Sequence, residues 1–119
     1  MALWLTNRDV DEVTVVEVYG RIVLGEETSA LREKVKVLLA EGKKKLVLDM
    51  QNVSIIDSSG LGALIAAHST ATMAGASLRL SNLSERSNQL LQMTKLLTVF
   101  EVYKTEGDAV HSFLKTGGA

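Results

Sequence analysis

Short runs of branched apolar residues alternate along this chain with longer stretches whose apolar residues recur every three to four positions, and Gly42 and Gly75 each mark a passage from the second kind to the first. A two-residue period suits a strand and a 3.6-residue period a helix. Val13 to Tyr19 sets Val13, Val15 and Glu17 against Thr14, Val16 and Val18; valine on both faces predicts a central strand, which Gly20 ends. Thr28 to Glu41 predicts a helix with Leu31, Val35, Leu38 and Leu39 on one face, Glu26 and Glu27 near its positive end and Gly42 as the stop. Leu46 to Met50 has the look of a buried parallel strand. Ser58 to Ala74 predicts a second helix with a stripe of Leu61, Leu64, Ile65 and His68, closed by Gly75. Leu78 to Leu80 follows as an inner strand, and Ser84 to Met93 as a helix buried through Leu90 and Leu91. Thr98 to Tyr103 predicts the last strand. Thr105 to Leu114 predicts the last helix, with Val110, Phe113 and Leu114 inward and Thr105 and Asp108 in capping-box relation.

Helices that alternate with strands at this spacing form right-handed crossovers over a parallel sheet. Leu3 to Leu5 is placed to pair antiparallel with Val13 to Tyr19. The expectation is an α/β domain with a mixed, largely parallel sheet of four to five strands and about four helices mainly on one face. The 119 residues suffice for one such core, so residues 1–119 read as a single domain with 116–119 as a loose tail.

Composition narrows the function. The formal net charge is −1, which supplies no general attraction to nucleic acid or anionic lipid. The basic run Lys43-Lys44-Lys45 reads as a solvated turn. Cysteine is absent, excluding disulfides and thiolate metal sites. Asn7, Arg8 and Asp9 interrupt the N-terminal apolar stretch, leaving no signal-peptide pattern. No apolar segment approaches the roughly 20 residues of a membrane helix. A cytoplasmic protein without membrane insertion is expected.

Polarity and flexibility exceed the needs of folding at one place, Ile55-Ile56-Asp57-Ser58-Ser59-Gly60-Leu61-Gly62. A buried pair stops at an acid, two hydroxyls and two glycines, and a helix begins. Asp and Ser are preferred helix caps, and one of them suffices for that. The other reading is electrostatic. A helix start presents unpaired N–H groups and about half a positive charge, so a phosphate on serine finds donors there. It adds nearly two negative charges beside Asp57. A partner that docks on the neutral surface is then repelled, and Gly60 and Gly62 permit close approach of its backbone.

Ile56 to Gly62 resembles the phosphorylation-site signature of STAS-domain anti-sigma factor antagonists. The likeness extends to Gly20-Arg21-Ile22, to Lys45 through Met50, and to Thr94-Lys95-Leu96 before Val99-Phe100. The resemblance implies a regulatory switch with no cofactor. The unphosphorylated form binds an anti-sigma factor that is itself a serine kinase, an ATPase of histidine-kinase-like fold, and the sigma factor is released. The kinase then phosphorylates Ser58, with Ser59 the less favoured acceptor, and a serine phosphatase resets the switch. The implied partner surface comprises Asp57, Ser59, Gly60, Leu61 and Gly62 with Arg21, Val23 and Leu24. The chain departs from the family at Val23, where an acid is usual, and the loop of residues 20–26 is one residue longer. Ile22, Val23 and Leu24 are either an exposed docking patch or a strand continuation packed inward.

Other classes fit less well. No Gly-x-Ser-x-Gly, glycine-rich phosphate loop or histidine–carboxylate cluster is present, so neither catalysis nor a metal is expected. His68 lies ten residues beyond Ser58 on the same helix, about 15 Å away, too far to act as its base; it reads as a half-buried packing residue, and His111 as a surface one. Asp49 is placed like a receiver's phospho-accepting aspartate, but a receiver also needs an early acidic pair and a lysine after the last strands, and the first strand here ends without such a pair. Trp4 and Tyr19 read as edge or core residues, an exposed Trp4 as a contact surface. The nearest rival is a STAS subunit of a lipid-transport or sensory assembly.

Overall fold

The protein's structure, a computed structural model, describes residues 3–117 apart from Leu24. The valine-rich segment lies next to the sheet's edge strand as β2 (Val13–Ile22), flanked by β1 (Leu3–Val10) and β3 (Lys45–Ile56). Its alternation fills both sides: Val16 and Val18 enter one core cluster, Val13 and Val15 another. β1 pairs antiparallel with β2 through a two-residue turn. Asp11 and Glu12 both have positive φ there, 50° and 69°, the sense of twist that matches a hairpin.

The remaining strands, β4 (Ser77–Ser81) and β5 (Val102–Tyr103), extend the sheet in the order β1-β2-β3-β4-β5, with every pairing after the first parallel. The helices are α1 (Glu26–Ala40), α2 (Ser58–Met73), α3 (Glu85–Met93) and α4 (Glu106–Gly117). The larger core lies under α1, α2 and α3, where Leu31, Val35, Leu38, Leu61, Leu64 and Leu91 meet Leu46, Leu48 and Leu80. α4 covers the opposite face, with Ala109, Val110 and Phe113 on Val13, Val15 and Val47. Three helices against one is the predicted asymmetry. Gly42 and Gly75, at φ 87° and 75°, follow the ends of α1 and α2 in the left-handed conformation that glycine adopts at least cost.

Several boundaries differ from expectation. Gly20 does not end β2. It sits inside the strand at φ 106°, beside register shifts at Glu17/Tyr19 and Gly20/Arg21, and these bulges carry the pairing on to Ile22. β3 correspondingly runs past Met50 through polar Gln51, Asn52 and Ser54 to Ile56. The segment predicted as strand from Thr98 keeps only Val102 and Tyr103; a 3-10 turn, Leu96–Thr98, precedes it and Phe100 tucks into the core. α1 begins at Glu26 rather than Thr28. Leu114 is exposed instead of inward, because α4 presents Ala109, Val110 and Phe113 to the sheet. Thr105 caps α4 by accepting from the Asp108 N–H at 3.0 Å. Of the tail predicted at 116–119, residues 116 and 117 instead close α4, which extends to Gly117, and residues 118–119 lie outside the described residues.

Candidate functional site

The signature segment joins the end of β3 to the start of α2, and each of its residues has a distinct burial. Asp57 is extended, with φ −96° and ψ −178°, and its Oδ1 accepts the Gly60 N–H at 2.7 Å. It is therefore the helix cap. Its carbonyl accepts from Leu61 at 2.9 Å, closing the first helical turn. Its own N–H donates to the Ile22 carbonyl at 3.2 Å, tying this junction to the end of β2. Ser58 is the first residue of α2 and is exposed; Ser59 is half-buried and Gly62 exposed. Among the described residues the Ser58 hydroxyl makes no side-chain hydrogen bond, so its oxygen is available from solvent.

Gly60 and Leu61 serve the fold rather than an open surface. Leu61 is a core residue. A Cβ on Gly60 would lie 1.9 Å from the Ile22 carbonyl oxygen, 2.7 Å from its carbon and 2.9 Å from Ile22 Cγ2. Only glycine fits between α2 and the end of β2. Around Gly62, by contrast, nothing lies within 4 Å of such a Cβ. The two glycines of the motif thus have separate reasons, and only Gly62 faces open space.

The bulged end of β2 brings the second implied segment to the same place. Arg21 is exposed, Val23 half-buried and Ile22 fully buried, so at Ile22 the apolar run is strand continuation packed inward. Leu24 lies outside the described residues. The carbonyl of Ile22, which holds both Asp57 and Gly60 in place, was not among the sequence candidates; a backbone group thirty-five positions upstream leaves no local trace. What the structure gathers is a surface of Ser58, Ser59 and Gly62 beside Arg21 and Val23, backed by Gly60 and Leu61.

The other candidates lie elsewhere. His68 is half-buried with its ring edge-on to Phe100 at 5.3 Å, and His111 is exposed. Asp49 is buried in mid-strand, its Oδ1 accepting from the Gln51 N–H and Asn82 Nδ2 at 3.1 and 2.9 Å. Lys43 pairs with Asp9 at 3.0 Å and Lys44 donates to the Ala74 carbonyl at 2.6 Å, as turn residues. Among the described residues no group of three or more His, Cys, Asp or Glu is placed to hold a metal, and no helix is long and apolar enough to cross a membrane.

A five-stranded mixed sheet with a capped, hydroxyl-bearing helix start at the end of its central strand defines a STAS domain, and the model of that family matches residues 5–109: the chain belongs to the STAS domain family. Within it the chain is similar to anti-sigma factor antagonists. It is 30% identical over 112 residues to the anti-sigma-B factor antagonist of Listeria monocytogenes, covering 91% of this chain and 93% of that one. It is 40% identical over 78 residues to the anti-sigma-B factor antagonist of Bacillus subtilis, covering 65% and 71%. The fold superposes on the Bacillus cell fate determinant SpoIIAA in its phosphorylated form with a TM-score of 0.71 at 19% identity, over 92% of this chain and 99% of that one.

Proposed function

We propose that this chain is an anti-sigma factor antagonist that works by partner switching, with Ser58 as the phosphorylated residue. In the unphosphorylated form it binds an anti-sigma factor serine kinase, and the sigma factor is released. Phosphate on Ser58 ends that binding, and a serine phosphatase restores it. The exposed hydroxyl at the first position of a helix already capped by Asp57 is the observation that carries this reading. The curated relatives named as antagonists support the role over most of the chain, and SpoIIAA has been solved in both phosphorylated and unphosphorylated forms.

The chemistry follows from the cap. Asp57 engages the Gly60 N–H, while the N–H groups of Ser58 and Ser59 belong to the first turn, where a helix has no intrahelical acceptors. A phosphate on Ser58 meets those donors and the positive end of α2, so the folded state tolerates it. Asp57 and the phosphate together present about three negative charges to any docking partner, and like charges at an interface cost several kcal/mol. Gly62, with open space around it, lets a partner approach closely. The switch is electrostatic and local, runs in the cytoplasm, and needs no catalytic group from this chain.

Incubation with its cognate anti-sigma factor serine kinase and ATP, followed by peptide mapping, is the test. Phosphate on Ser58 is expected; phosphate on Ser59 or Ser54 alone, or on no residue, contradicts the assignment.

A further inference from the structure

β1 leaves the sheet open on one side. It is an edge strand, and its pairing with β2 runs from Leu3 to Val10 without a register shift. Long edges are ordinarily blunted by a bulge, a proline or a lysine, and Leu3–Val10 contains none of them. Its charged side chains, Arg8 and Asp9, are satisfied within the chain. Arg8 Nε donates to Glu17 Oε1 at 3.1 Å and its terminal nitrogen pairs with Glu106. Asp9 accepts from Thr14 at 2.7 Å and pairs with Lys43 at 3.0 Å. Trp4, Thr6, Asn7, Arg8 and Asp9 are exposed, and among the described residues no backbone hydrogen bond from outside the sheet reaches the strand.

The hairpin fixes which backbone groups point outward. Val10 and Val13 flank the two-residue turn and form its hydrogen-bonded pair, so Val10, Arg8, Thr6 and Trp4 direct their N–H and C=O groups to β2. Leu3, Leu5, Asn7 and Asp9 alternate with them and direct theirs past the edge. These outward positions are symmetric about Thr6. The side chains show the same direction. Trp4 and Tyr19 are register partners whose rings stack at 5.2 Å and 3°, so the stack runs across the strands. One face of the indole lies on Tyr19 and the other looks beyond the sheet. Trp4, the only tryptophan in the chain, is accordingly 53% exposed.

We infer that β1 is the contact of a homodimer, in which a second copy adds its own β1 antiparallel about a two-fold axis through Thr6. Reversal about Thr6 sets Leu5 opposite Asn7 and Leu3 opposite Asp9, so the outward backbone groups of each copy meet those of the other. No other two-fold centre on the strand engages all of them. The same reversal sets Trp4 opposite Arg8 on both sides of the axis, at the closer, non-hydrogen-bonded spacing of about 4.5 Å between Cα atoms. A guanidinium donates in its own plane, so the bonds to Glu17 and Glu106 leave its flat faces free to stack on an indole. The edge is its own complement, and that selects a second copy over a foreign strand. β1 is separated from β3 by β2, so both Ser58 sites stay open in the pair, one at each end of the joined sheet.

Sedimentation velocity of the full chain over a concentration series, with Trp4 emission read on the same samples, is the test. A reversible monomer–dimer equilibrium is expected, with the emission following it. Thr6 faces its own copy on the axis, so Thr6→Glu and Thr6→Lys should each weaken association by about threefold or more, as like charges directly opposite do. An equimolar mixture of the two variants should restore it. Trp4→Ala removes both indole contacts and should weaken association by about fivefold to thirtyfold. Melting curves establish that each variant is folded, and where a Thr6 variant is not, Trp4→Ala decides alone: unaltered association then overturns the inference. A monomer at every concentration, a dimer indifferent to the substitutions, or a Thr6→Glu and Thr6→Lys mixture that associates no better than either variant by itself also overturns it.

Discussion

Replacing Gly60 by alanine isolates the contact that locks the functional helix to the sheet. The added carbon starts 1.9 Å from the Ile22 oxygen, whereas ordinary contact begins at 3.4 Å. The two nearest atoms are both backbone, so no side chain can swing aside, and either the end of β2 or the first turn of α2 has to move. Overpacking of that kind costs about 1–3 kcal/mol. The movement also loosens the Asp57–Ile22 hydrogen bond, at 3.2 Å, and strains the Asp57 cap on Gly60, at 2.7 Å. Those add about 0.5–1.5 kcal/mol each. A total of about 3 kcal/mol is a large share of the 5–15 kcal/mol available to a domain, and corresponds to a fall in Tm of roughly 12 °C at this size. Gly62→Ala is the matched comparison two positions on. It meets nothing within 4 Å and gains about 0.5–1 kcal/mol from helix propensity. Urea and thermal unfolding followed by circular dichroism measure both. Gly60→Ala within about 0.5 kcal/mol of the native chain would refute the packing argument.

Three further outcomes are expected. Ser58→Asp should keep or raise Tm slightly, since an acid in the first helical turn contributes about 0.3–1 kcal/mol, while abolishing kinase binding in a pull-down; loss of folding instead would assign Ser58 a structural role. A bulky residue at Gly62 should weaken kinase binding with little effect on unfolding, and unaltered affinity would remove Gly62 from the docking surface. Hydrogen bonds from Thr14 and Lys43 hold the Asp9 carboxyl below its ordinary range. Its folded pKa is thus lower than its unfolded one, so the stabilisation is complete above the unfolded value and is lost as pH falls through the folded one, below about pH 4. The Asp9→Asn variant should lose less stability across that range than the native chain, and parallel acid-unfolding curves would contradict this.

Patterns carried by one segment were legible in the sequence; those made by two distant ones were not. Valine on both sides of β2 followed from alternation, as did the faces of α1 and α2 from their periodicity and the turns after them from Gly42 and Gly75. A capped helix start at Asp57-Ser58-Ser59 and Ser58 as a surface hydroxyl followed from residue type and order; that Asp57 is the capping residue came from the structure. β3 outran its prediction because Gln51, Asn52 and Ser54 are polar. They remain in a strand only because the bulged end of β2 supplies hydrogen-bond partners, and that is a tertiary fact. β5 shrank because Lys95 takes a left-handed turn, at φ 63°, and Leu96–Thr98 close a 3-10 turn before the chain reaches the sheet. Gly60 looked like an allowance for a partner's backbone; its neighbour is this chain's own Ile22. Leu114 sits next to Phe113 in sequence but turns away from the contact that Arg79 and Phe113 make.

Calorimetric titration of the cognate anti-sigma kinase with the chain in its unmodified and singly Ser58-phosphorylated forms puts the question most directly, with Tm recorded for each. A loss of affinity of at least about 100-fold, near 2.7 kcal/mol, at an unchanged or slightly higher Tm is the expected result. Equal affinity of the two forms, or a weakened phosphorylated form that has also lost its fold, would show that charge on this hydroxyl is not what decides docking.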